Sequence, residues 1–150
     1  MYSKILVPLD GSVRAEAVLP HVEVLALRSK SQVLLLRVVD LVAPIGAAEP
    51  AYVGLRRREM EQETREARAY LTPLQGKFRQ KGIDAHTLVA YGRTVDAILD
   101  SAESQNVDLI AIASHGRSGL ARVVYGSVAA GLLQRARRPL LFIPSRAAPR

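Results

Sequence analysis

Short apolar runs alternate along this chain with longer stretches whose apolar residues recur every three or four positions. Ile5-Leu6-Val7 ends in Pro8-Leu9-Asp10-Gly11-Ser12, which predicts a buried strand followed by a turn and a helix N-cap. Val13–Arg28 places Val18, Val22, Leu25 and Ala26 on one helical face, with a kink expected at Pro20 because an interior proline removes a backbone hydrogen bond. Val33–Val39 is nearly continuously apolar, as in a strand covered on both faces. Residues 41–54 contain Pro44, Gly46, Pro50 and Gly54 and read as an irregular connection. The next helix begins highly charged, with Arg56-Arg57-Arg58-Glu59 on a solvated face. Its apolar positions Met60, Ala67, Leu71, Leu74 and Phe78 form one core stripe despite Pro73, and Gly82 closes it.

The second half repeats the alternation. Ala85–Ala90 reads as a third strand, Val95–Ser104 as a helix stopping at Asn106, and Leu109–Ala113 as a buried strand. Ser127 is expected to cap a helix over Val128–Ala136, and Leu140–Ile143 is a last strand. The order βαβαβαβαβ calls for an α/β fold: a doubly wound five-stranded parallel sheet with helices on both faces and right-handed crossovers. The 150 residues suffice for one domain.

Composition narrows the chemistry. There is no cysteine, and three scattered histidines lack ligand spacing, so neither disulfides nor a protein-held metal is expected. His21 and His86 read as structural. No apolar run approaches the roughly 18 residues of a membrane span, and the N-terminus is too short for a signal peptide, so a cytoplasmic protein is expected. The net charge of +7 is uneven. All 14 acids lie in residues 1–108 beside as many bases, whereas residues 109–150 carry seven arginines and no acid. Arg117 and Arg122 are well placed for an anionic ligand; Arg135, Arg137 and Arg138 complement a helix C-terminus, and Arg146 and Arg150 a solvated tail. Little aromatic interleaving argues against nucleic-acid binding.

The candidate chemistry lies where the fourth strand empties into Ser114-His115-Gly116, followed after nine residues by Gly126-Ser127 and a helix. Glycines that let the backbone approach closely, then a helix N-terminus with unpaired N–H groups, make a phosphate cradle. Arg117 and Ser118 add side-chain donors within it. The same glycines also fit a plain surface loop. Asp10 falls at the carboxyl end of a central strand, where open α/β sheets bind ligands, and it also fits a simple helix cap.

The spacing Gly116, nine residues, Gly126-Ser127 resembles the nucleotide-binding branch of the universal stress protein family. Lys4-Ile5-Leu6-Val7-Pro8-Leu9-Asp10-Gly11-Ser12 and Pro139-Leu140-Leu141-Phe142-Ile143 extend the resemblance over nearly the whole chain. Ala113 departs from it, standing where the family has its first glycine. The resemblance implies strand order 3-2-1-4-5, with Asp10 accepting from the ribose or adenine region, Pro8 and Leu9 lining the pocket, and backbone groups of Val38 holding adenine. It places the phosphates at Gly116, Arg117, Ser118, Gly126 and Ser127, with Ala113, His115, Gly119 and Val128 completing the contact set. Arg37 and Asp40, flanking Val38, read as solvated.

The expectation is therefore a stress-response binding or switch module for ATP, or for AMP or ADP, with Mg²⁺ or Mn²⁺ carried by the phosphates. No lysine follows the glycines as in a P-loop, and no Ser-His-Asp set is evident, so a dedicated enzyme is not expected; His115 and Ser118 are the candidates for slow hydrolysis or phosphate transfer. A homodimer through the apolar last strand is expected, with no nucleic acid or membrane as partner. The alternative is a dimeric family member that binds no nucleotide. A phosphorelay receiver is excluded because its acidic cluster after the first strand is missing.

Overall fold

The computed structural model describes residues 1–40, 50–115 and 126–145. Their elements are β1 (Lys4–Leu9), a 3-10 turn (Ala15–Val18), α1 (Leu19–Ser29), β2 (Gln32–Val39), α2 (Pro50–Gln80), β3 (Ala85–Tyr91), α3 (Thr94–Ser104), β4 (Leu109–His115), α4 (Ser127–Arg135) and β5 (Leu140–Ser145). The strands pair in parallel in the order β3-β2-β1-β4-β5, as expected.

Alternation along the central strands divides the core. Ile5, Val7 and Leu9 of β1 join Val33 and Leu35 of β2 on the face covered by Val22 and Ala26 of α1 and by Leu71, Leu74 and Phe78 of α2. Leu6, Leu34, Leu36, Ile110 and Ile112 point the other way, against Ile98 and Ala102 of α3 and Leu132 of α4. Each central strand is thus buried on both sides, which is why its sequence is continuously apolar. At the end of the sheet opposite the strand carboxyl ends, Asp108 ties β1 to β4: its carboxylate accepts from the Ser3 N–H at 2.7 Å and the Lys4 N–H at 3.0 Å.

Four local expectations need correction. The first crossover is split into a 3-10 turn and α1, with Pro20 in the first turn of α1 rather than in a helix interior. No intrahelical bond is required of an N–H there, so the proline ends one element and starts the next instead of kinking a single helix. Second, α2 begins at Pro50, so residues 50–54 are helical and only 41–49 of the expected connection remain, outside the described residues. Third, Gly126 is the N-cap of α4 and Ser127 its first helical residue. Fourth, Met60 is only partly buried, because α2 meets the core from Ala67 onward.

Pro73 does sit inside α2. The carbonyl it leaves without a donor belongs to Ala69, which is exposed and can turn to water. At the outer edge of the sheet, Gln75 Nε2 and Arg79 Nε of α2 both donate to the Ala85 carbonyl of β3, at 3.1 and 3.0 Å. His86 lies at the start of β3, away from the strand carboxyl ends, with Nε2 2.8 Å from Asp84 Oδ1. Among the described residues β5, the opposite edge, pairs only with β4, and Pro144 lies within it, opposite Ser114.

Candidate functional site

At the carboxyl ends of β1, β2 and β4 the described residues line a cleft of about 160 Å³. It brings together Pro8, Leu9, Asp10, Val38, Ala113, Gly126, Ser127 and Val128, eight residues singled out in the sequence. His115 ends β4, and the expected contacts Gly116, Arg117, Ser118 and Gly119, with Arg122, lie outside the described residues. Arg135 pairs with Asp96 of α3 at 2.7 Å, and Arg138 donates to the Val107 carbonyl at 2.5 Å, so these two arginines serve the fold.

The loop after β1 is built to hold a carboxylate at the rim. Gly11 has φ of +88°, a left-handed turn that suits glycine. Asp10 Oδ1 accepts from the Ser12 N–H at 2.9 Å and from the Ser12 hydroxyl at 2.5 Å, and Ser12 Oγ accepts the Ala15 N–H at 3.1 Å. Burial pushes the Asp10 carboxyl up, but the two Ser12 bonds and the nearby Arg14 and Arg37 charges outweigh it and hold it below the usual value. Among the described residues Oδ2 accepts no hydrogen bond. Beside this loop Tyr70 of α2 donates to Glu16 Oε2 at 3.0 Å; burial and the Glu16 carboxylate push the phenol well above its ordinary value.

The opposite flank is the start of α4. Gly126 offers no side-chain cap, and the first intrahelical bond is Ala130 N–H to Gly126 O at 2.9 Å. The N–H groups of Ser127, Val128 and Ala129 therefore have no intrahelical acceptor, and the helix dipole places partial positive charge at the cleft. α4 comes close to α3 because Gly131 faces Val95: a Cβ at Gly131 would lie 2.8 Å from Val95 Cγ2. Ala113 lines the cleft and also packs against the α1-side core.

Arg14, Arg37, Thr94, Ile98, Ile112 and Ala129 also line the cleft and were not anticipated. Arg37 is half-buried rather than solvated. A cation interrupting an apolar strand one residue before Val38 was the available signal. Among the described residues no group of three or more His, Asp or Glu side chains is placed to hold a metal, and no helix is long and apolar enough to cross a membrane.

Comparison with known proteins gives the same frame. The sequence model of the universal stress protein family matches residues 1–144. The chain is 29% identical over 154 residues to universal stress protein MJ0577 of Methanocaldococcus jannaschii, covering 95% of each. The solved structure of MJ0577 superposes with a TM-score of 0.81 at 26% identity, over 99% of both chains. Universal stress protein UspA from Lactobacillus plantarum superposes with a TM-score of 0.80 at 26% identity, over 95% of this chain and 97% of that one. With a family match from the first residue to β5 and the same fold in these relatives, the chain belongs to the universal stress protein family.

Proposed function

We propose that the protein is a cytoplasmic, ATP-binding stress-response module that works as a binding or switch component rather than a dedicated enzyme. The observation that carries this reading is one cleft lined both by Asp10, after β1, and by the uncapped N-terminus of α4. The cleft crosses the carboxyl ends of three adjacent strands, β2, β1 and β4, about 4.8 Å apart, so Val38 of β2 and the end of β4 lie roughly 10 Å apart, a span suited to a nucleoside with its phosphates. The α4 N–H groups suit the phosphates, and Asp10 Oδ2 suits the ribose or base donors. The choice of adenine rests on the family. A divalent cation would be held by phosphate oxygens and water.

A second reading is a dimeric interaction protein without nucleotide, favoured by the Ala113 methyl at the cleft. In both readings two copies pair through β5, the edge strand next to β4.

Isothermal titration of nucleotide-stripped protein with ATP, ADP and AMP separates the two readings. Gly126→Val places a branched side chain at the anion end and is expected to weaken ATP binding at least tenfold. Unchanged affinity in that variant, folded as judged by circular dichroism, counts decisively against the cradle.

A further inference from the structure

Arg37 is a costly residue for β2 to carry. It pairs in register with Leu9 of β1 and Val89 of β3, and apolar residues flank it on both sides along the strand. Its guanidinium bears five N–H donors. Among the described residues those donors make one long hydrogen bond, 3.4 Å from Nη1 to the Val38 carbonyl, and no ion pair. The group is half-buried, faces the cleft, and lies 3.7 Å from where a Gly11 Cβ would stand. A ligand that covered it without offering an acceptor would strand those donors, which is unfavourable.

The acceptor is constrained by place and charge. Arg37 is on β2, two strands from β4 and the start of α4, so it belongs to the end of the cleft away from the anion site. Around it the Asp10 and Glu16 carboxylates balance the Arg14 and Arg37 guanidiniums, so that end holds no excess positive charge for a phosphate. The ligand groups left are uncharged. Ribose hydroxyls and an exocyclic amine can donate, which suits Asp10 Oδ2. Purine ring nitrogens only accept, which suits a guanidinium. We propose that Arg37 reads a ring nitrogen of the bound purine, N3 or N7, and so sets the affinity for the base. This rests on the nucleotide-binding reading above and adds to it a specificity-determining residue.

The test is titration of nucleotide-stripped wild-type, Arg37→Met and Arg37→Lys proteins with ATP, 3-deaza-ATP and 7-deaza-ATP, each protein checked by circular dichroism and thermal melting. Arg37→Met keeps the apolar stem and is expected to bind ATP about tenfold more weakly, with Arg37→Lys in between. One deaza analogue should bind the wild type about five- to tenfold more weakly than ATP, and that penalty should fall below twofold in Arg37→Met. ATP affinity unchanged in Arg37→Met, or deaza penalties equal in both proteins, overturns the inference while leaving nucleotide binding intact. If the variant does not fold, a wild type indifferent to both analogues overturns it as well. A wild type that binds no nucleotide at all removes the underlying reading, and the inference with it.

Discussion

Gly131→Ala isolates the contact that sets the spacing of α3 and α4. The added methyl would stand 2.8 Å from Val95 Cγ2 and 3.3 Å from Cγ1, where carbon pairs prefer about 3.5–4.0 Å. Valine is branched at Cβ and stiff at χ1, so it cannot swing clear without leaving its preferred rotamer. Overpacking of this kind costs about 1–3 kcal/mol. Against it stands a gain of about 1 kcal/mol from replacing glycine by alanine in a helix. The balance is a net loss of about 1 kcal/mol, or about 2–4 °C in Tm for a domain of this size. Val95→Ala removes both offending carbons. In that background Gly131→Ala should stabilise by about 0.5–1 kcal/mol, so its effect changes sign. Denaturant and thermal unfolding of the four proteins measures the cycle. If Gly131→Ala is stabilising with Val95 present, or has the same effect in both backgrounds, the close approach at Gly131 is not what spaces the helices.

Ser12→Ala should raise the titration midpoint of the Asp10 carboxyl, because it removes a hydroxyl donor that holds that carboxyl below its ordinary value; carboxyl-carbon NMR reads this directly. Since the folded value is the lower one, this group's contribution to stability is complete well above the unfolded carboxyl's value and is lost as pH falls through the folded value, and Ser12→Ala should shrink it. Asp108→Ala leaves the Ser3 and Lys4 N–H groups without their acceptor and should cost about 1–3 kcal/mol in urea unfolding, with no effect on ligand affinity. Sedimentation at tens of micromolar, with and without nucleotide, should show a dimer; a monomer in both conditions refutes pairing through β5.

The strands were legible because each central one is buried on both sides, so its apolar run is uninterrupted and its end is marked by Pro8-Leu9-Asp10 or Ser114-His115. The errors came from residues whose effect depends on position within an element. By residue type Pro20 signals a helix break and Pro50 a loop, yet both lie in a first turn, where proline costs nothing. Gly126 and Ser127 are both acceptable N-caps, and sequence alone does not say which of two neighbours enters the helix first. Among the eight described cleft residues, Asp10, Gly126 and Ser127 were legible because strand ends and a helix start mark the ligand edge of an α/β sheet, whereas Pro8, Leu9, Val38, Ala113 and Val128 followed from the family resemblance. Arg37 escaped because surface burial of a long side chain is a property of the packed loops around it, here Gly11 and the Asp10–Ser12 turn.

The 31 residues of α2 make a rod of about 46 Å by the usual helical rise. Its buried residues, Ala67, Leu71, Leu74 and Phe78, all lie in the second half. Geometrically it is one helix; energetically it has two parts. The first four turns hold by backbone bonds and by surface pairs such as Arg56–Glu59 at 3.1 Å, so they should exchange amide hydrogens by local fraying. The second half is sealed against β2 and β3 and should exchange only when the domain unfolds. A protease cutting α2 in the native protein would thus cut before Ala67, and the nicked chain would keep its core.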